Sequence, residues 1–173
     1  MNQKIVSLVL LLVAIGCTTN PPSARIEDAR STFSAYIVDF WTNRDTSAIG
    51  RAFSPEVVYH YNGHTGKADY ASHIRALRGF GRAFPDLIGA IDVFTFDGTF
   101  GAAVTSWTGT HLDTLSGVQA TGMHAIPPTG QKISWPVNYV FRMQNNRIAE
   151  LWEVWDEGNV YLRLWNAVPR PKS

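Results

Sequence analysis

Apolar residues recur at Ile26, Ala29, Phe33, Ile37, Phe40 and Trp41, a helical period that predicts a first helix running to about Asn43. Thr46–Phe53 reads as a shorter helix or turn, limited by Pro55. Val57–Tyr61 is a short strand, and Asn62–Gly66 a glycine-rich turn. A second helix is predicted over Lys67–Phe84, where Tyr70, Ile74, Leu77 and Phe84 form one stripe with His73 and Phe80 beside it; Pro85-Asp86 ends it. The remainder reads as strands. Leu87–Phe96 and Phe100–His111 flank Asp97-Gly98, a hairpin signal. Leu112–Gly130 is a long loop or a broken strand. Gln131–Gln144 carries an apolar and aromatic face on Ile133, Trp135, Val137, Tyr139 and Phe141, and Pro136 within it predicts a bulge or a locally unpaired edge. Asn145-Asn146 turns into a last strand, and Gly158–Trp165 closes the chain as a short helix or strand.

That last strand, Arg147–Glu157, breaks the pattern. Strand alternation puts Ile148, Glu150, Trp152, Val154 and Asp156 on one face and Ala149, Leu151, Glu153 and Trp155 on the other, so both faces are mixed. An unpaired buried carboxylate is expensive, so at least one of Glu150, Glu153 and Asp156 faces a polar cavity or a partner. The strand is therefore expected to line a pocket. Helices followed by a run of antiparallel strands is an α+β pattern: a curved antiparallel sheet packed on the N-terminal helices, with a cone-shaped cavity between them suited to a small apolar ligand.

Composition narrows the class. With 173 residues the chain builds one domain with a real core. The 15 basic and 14 acidic side chains nearly cancel and form no basic block, which argues against a nucleic-acid partner. Six tryptophans in a chain that is 12% aromatic suit a lined cavity or an interface. Ile5–Gly16 is almost purely apolar behind a single charged side chain, Lys4, and is too short to span a bilayer as a mature helix. Residues 1–16 are read as a signal peptide. Ala14-Ile15-Gly16-Cys17 is similar to a bacterial lipobox, with Ala14 where Leu is usual, so Cys17 is the expected lipid-attachment site; an ordinary secretory signal with a stray Cys is the alternative. Residues 17–24 then form a lipidated tether, 25–168 the domain and 169–173 a tail, in a cell-envelope lipoprotein that meets the membrane only through its acyl chains. The lone cysteine forbids an internal disulfide.

Five segments, in order, carry a resemblance: His64-Thr65-Gly66-Lys67, Ala83-Phe84-Pro85-Asp86-Leu87, Trp107-Thr108-Gly109-Thr110-His111, Ile126-Pro127-Pro128-Thr129-Gly130, and Phe141-Arg142 through Ile148-Ala149-Glu150-Leu151-Trp152 to Asp156. Together, over about Ile26–Leu164, the chain resembles the SnoaL-like polyketide cyclase (ester cyclase) family of the nuclear transport factor two-like superfamily. The resemblance implies a cystatin-like α+β barrel and cofactor-free ring closure by intramolecular aldol condensation. It also implies an acid on the last strand and a histidine on the strand before it. Matching the intervening turn places the acid at Glu153 and the histidine position at Tyr139. Tyrosine lacks a group that titrates near neutrality but can donate a hydrogen bond to an enolate.

The candidate catalytic residues are Glu153, Tyr139 and Asp156. Glu153 is either an acid against apolar walls or an exposed acid on a twisted strand end; Asp156 matches a family position or caps the following helix. The expected ligand contacts are His60 near the pocket mouth, Trp107 and His111 on one strand face, Trp135 and Trp152. Gly109 between Trp107 and His111 is read as opening room for a ligand; the alternative is a packed Trp and a surface His. His73 is read as a half-buried structural residue, and His124 as a lid residue or a solvated one. Cys/His and HExxH spacings are absent from the sequence, so no metal is expected, and no cofactor. Two functions follow. One is general acid/base catalysis, a cyclisation or isomerisation of a small apolar carbonyl compound. The other is non-catalytic binding of a small hydrophobic molecule or an envelope protein partner. Aromatics on both strand faces predict a homodimer through the outer face of the sheet.

Overall fold

The computed structural model describes residues 22–116 and 124–168. The expected signal peptide, Cys17, most of the tether and the tail lie outside the described residues. The chain begins with α1 (Pro22–Ser34), which continues without a break into a π-helical segment, Ala35–Thr42. The wider turn brings Ala35, Tyr36, Ile37 and Phe40 all to buried positions. A 3-10 turn (Thr46–Ala48), capped by the Asp45 carboxylate, leads into the single turn of α2 (Ile49–Ala52).

Six strands follow with one interruption: β1 (Phe53–Tyr61), β2 (His64–Asp69), α3 (Tyr70–Ala83), β3 (Ile88–Phe96), β4 (Phe100–Thr110), β5 (Lys132–Gln144) and β6 (Arg147–Val154). They form one curved, open sheet in the order β2-β1-β6-β5-β4-β3. The helix α4 (Glu157–Ala167) closes the described chain.

Three features differ from the expectation, each for a local reason. His64–Gly66 is not a turn but the start of β2, because Asn62 and Gly63 alone make the reversal, at φ of 43° and 88°. The sheet is not wholly antiparallel: β1 runs parallel to β6, since the chain crosses through α3 from β2 at one edge to β3 at the other and returns strand by strand to β6 in the middle. The strict alternation assumed for the last strand fails at Ala149. Met143 pairs with Ile148 and Arg142 with Glu150, so Ala149 is an extra, bulged residue. The bulge returns Ile148 to the same inner face as Leu151, and both are fully buried.

Pro136 is accommodated where only one neighbour remains. It sits opposite Ser106 of β4, and the last β5–β6 pair is Asn138 with Val154. The core lies between the inner face of the sheet and the helices. Phe33 stacks on Phe141 with centroids 5.0 Å apart and meets Tyr139 edge-on at 5.4 Å. Gly101 is glycine because the Phe141 ring occupies the space a Cβ would need. Gly109 does not open the cavity; Phe84 packs 3.2 Å from where its Cβ would be.

Candidate active site

The inner face of the sheet, α3, α4 and the π-helical segment border a cavity of about 420 Å³ that opens to solvent on one side. Its position follows from strand alternation. The odd residues of β4 and β5 point inward and supply Trp107, Trp135, Val137 and Tyr139. On β1 the inward residues are Tyr59 and Tyr61, and on β6 the inward acid is Glu153. Helix α3 adds His73 and Phe80, the π-helical segment adds Trp41, and Trp155, Glu157 and Tyr161 close the side next to α4.

Glu153 is the chemical centre of this wall. It pairs in register with Tyr139 of β5 and Tyr61 of β1. The Tyr59 hydroxyl donates to its Oε2. Burial pushes its carboxyl from the ordinary 4.5 up to about 7; the Tyr59 donor partly offsets this, and the charge of Glu157 adds to it. Tyr59 and Tyr139 are held far above their ordinary value, by burial first and then by the Glu153 charge, so both remain protonated donors. Tyr61 is raised by the same causes in the same order, and its hydroxyl accepts from Trp155 Nε1 at 2.9 Å.

His73 packs flat on Phe53, centroids 4.6 Å apart, and edge-on to Tyr59 at 6.0 Å. Burial pushes its imidazole from 6.5 down to about 4, against a small opposing pull from Asp69, so it is neutral at neutral pH. Its Nε2 has no hydrogen-bond partner among the described residues. Glu157 is 4% exposed and accepts a long hydrogen bond from Asn62 Nδ2 at 3.4 Å.

The sequence-predicted residues divide into two groups. Glu153, Tyr139, Trp107 and Trp135 line this cavity together. His60, Trp152, His111 and Asp156 do not. His60 and Trp152 stack on each other 4.6 Å apart on the outer face of the sheet, because His60 alternates with Tyr59 and Tyr61 and Trp152 with Leu151 and Glu153. His111 is fully buried against Phe84, with Nδ1 3.1 Å from the Thr129 hydroxyl, rather than at a rim. Asp156 caps α4, accepting from the Asn159 amide at 2.9 Å.

Tyr59, Tyr61, His73 and Glu157 are cavity residues that the sequence reading missed. Alternation along Val57-Val58-Tyr59-His60-Tyr61 carried the signal for the tyrosines, since it puts them opposite His60. For Glu157 the sequence held no such signal; its place depends on how the chain turns from β6 into α4. Among the described residues no group of three or more His, Cys, Asp or Glu is placed to hold a metal ion. The arrangement is an acid half-ionised near neutrality, facing an apolar space and flanked by phenol donors. It can take a proton from a weakly acidic carbon and stabilise the negative oxygen that results.

Known proteins agree on the frame. The family model described as SnoaL-like polyketide cyclase matches residues 32–162. No curated protein matches the sequence. A structure assigned as a SnoaL-like polyketide cyclase from Jannaschia sp. CCS1 superposes with a TM-score of 0.71 at 15% identity, covering 88% of this chain and 99% of that one. One assigned as a polyketide cyclase from Acidithiobacillus ferrooxidans gives 0.66 at 23% identity, over 82% and 96%. AclR from Streptomyces galilaeus, assigned as a hydroxylase, gives 0.64 at 22% identity, over 83% and 99%. At these identities the likeness establishes the fold.

Proposed function

The chain belongs to the SnoaL-like polyketide cyclase family, and from that premise we propose that it is a cofactor-free acid/base catalyst acting on a small apolar carbonyl compound, by cyclisation or isomerisation. The observation that carries this reading is the Glu153 carboxyl, raised to about 7 at the wall of an aromatic cavity. Glu153 in its ionised form takes a proton from the carbon beside the carbonyl. Tyr139 donates to the enolate oxygen while the Tyr59 hydroxyl holds the Glu153 carboxylate, and Glu153 then returns the proton or passes it to the new position. Trp107 and Trp135 hold the apolar body of the substrate. Metal and cofactor have no part in this scheme.

The test is proton exchange, which does not need the physiological substrate. The purified chain is incubated with a panel of small ketones and esters in deuterated water, and deuterium at the α-carbon is followed by NMR. Exchange that vanishes in Glu153→Gln supports the reading; equal exchange in both proteins removes Glu153 from the mechanism. If the panel shows saturable binding without exchange, the protein is a carrier of small hydrophobic molecules instead. The aromatic walls alone would suffice for that role.

The setting of this activity is also a proposal. Cys17 is lipidated and tethers the domain to a bacterial envelope membrane, which mass spectrometry of the membrane-extracted protein would detect as an acylated N-terminal cysteine. Two copies pair through the outer face of the sheet, where Phe100, Val104, Val140 and Val154 are exposed.

A further inference from the structure

The proton-transfer scheme uses one of the cavity's two carboxylates and leaves the second unexplained. Glu157 lines the same space as Glu153, and its charge is felt there, adding to the rise in the Glu153 carboxyl. Its partners among the described residues are the Asn62 amide at 3.4 Å and the Tyr61 hydroxyl, both uncharged, for a carboxylate that is 4% exposed. Among the described residues lining the cavity there is neither Lys nor Arg, so both acids lack a cationic counterpart.

The remaining wall favours positive charge. Trp41 stands at 85° to Phe80 and at 88° to Trp107, and Phe80 at 88° to Trp155, with centroids 6.1–6.4 Å apart. Together with Trp135 these rings line the cavity, so a ligand there lies against aromatic surface. A π face attracts a cation, and most strongly where water is excluded. An anion entering the same space loses its hydration and meets two carboxylates instead.

We infer that the cavity selects its ligand by charge, taking an apolar molecule that carries a positively charged nitrogen and rejecting carboxylates. This rests on the reading that the cavity holds the substrate, and makes that substrate an amine-bearing carbonyl compound. Glu157 and the rings of Trp41, Phe80 and Trp155 hold the nitrogen, which leaves Glu153 free to move the proton.

Three probes of similar size separate the possibilities: benzyltrimethylammonium, its uncharged carbon isostere neopentylbenzene, and 3-phenylpropanoate. Each is titrated into the full-length chain at pH 6 and pH 8, with tryptophan fluorescence as the readout. The cation is expected to bind at least about tenfold more tightly than the isostere at pH 8, with the margin shrinking at pH 6 as Glu153 is protonated. The carboxylate is expected not to saturate at millimolar concentration. Glu157→Gln should weaken the cation by about tenfold and leave the isostere unchanged. If the isostere binds as well as the cation at both pH values, or the carboxylate binds comparably, charge selection is wrong while the cavity's role as a substrate site stands. If none of the three binds, both readings fall.

Discussion

Glu150 and Glu153 are three residues apart on one strand, yet their carboxyls are driven in opposite directions. Glu150 points to the outer face. There it accepts from His60 Nε2 at 2.9 Å and from Arg142 Nε at 3.0 Å, which hold its carboxyl below the ordinary range. Glu153 points inward, where one phenol donor partly counters the cost of burial and the carboxyl rises to about 7. The first is a salt-bridged structural acid; the second is poised to give and take a proton at neutral pH. The difference between them is set by which side of the sheet each side chain leaves, not by residue type or neighbouring sequence.

The largest effect that could break this contrast is on turnover. On any substrate that the exchange assay identifies, Glu153→Gln should lower the rate by about 10²–10⁴-fold, while Glu150→Gln leaves it near wild type. Equal losses from the two variants would mean that both act through the stability of β6 rather than through chemistry.

Stability against pH gives a second contrast of opposite sign. The folded pKa of Glu153 lies above its unfolded value, so the native state holds the proton more tightly. Below about 4.5 both states are protonated and nothing is lost. As pH rises from there to about 7 the unfolded chain ionises first, and the fold loses up to about 3 kcal/mol. Glu150 behaves in reverse: its contribution is present above the ordinary carboxylate value and disappears as pH falls through its lowered folded value. Urea unfolding from about pH 2.5 to 8.5 should show Glu153→Gln removing the loss on the alkaline side. Glu150→Gln should flatten only the acid side. A Glu153→Gln profile that still falls toward pH 7 would place the titrating group elsewhere.

The two faces also differ in what covers them. The inner face is filled by helices; the outer face exposes Val140 at 44% beside Phe100 at 43%. Light scattering at micromolar concentration should find a dimer for the native chain and a monomer for Val140→Lys, with the cavity's ligand binding intact. A native monomer would remove the pairing proposed for the outer face.

The smallest effect sharpens the inner site itself. Tyr59→Phe deletes the hydroxyl donor to Glu153 Oε2, so the Glu153 titration midpoint should move further up from about 7. The carboxyl signal of labelled Glu153, followed by NMR across pH, reads this directly. An unmoved midpoint would show that burial alone sets the value.

Much of this molecule is written in local pattern. The odd residues of β5 form the inner face because a strand's two-residue repeat is independent of its surroundings. The turns at Asp97-Gly98 and Asn145-Asn146 follow from backbone preference; Asn145 and Asn146 hold φ of 52° and 57°. The order of helices and strands, the five matching segments and the presence of an inward acid on the last strand were legible for the same reason.

Sidedness across strands was not. His60 reads as a residue of the pocket mouth and Trp152 as a ligand contact, yet the pairing of β1 with β6 leaves both on the outer face. The bulge at Ala149 resets the face of Ile148, and a bulge depends on the register of two strands rather than on the sequence of either. The Tyr59–Glu153 contact joins residues 94 positions apart. It exists because β1 lies parallel against β6, a pairing that no stretch of sequence announces. Glu157 enters the cavity only through the turn from β6 into α4. The sequence alone thus determined the fold class, the elements and an acid that has to find a polar setting. Tertiary structure decided which acid is buried and what faces it, because burial and long-range contact depend on the packing of the whole sheet.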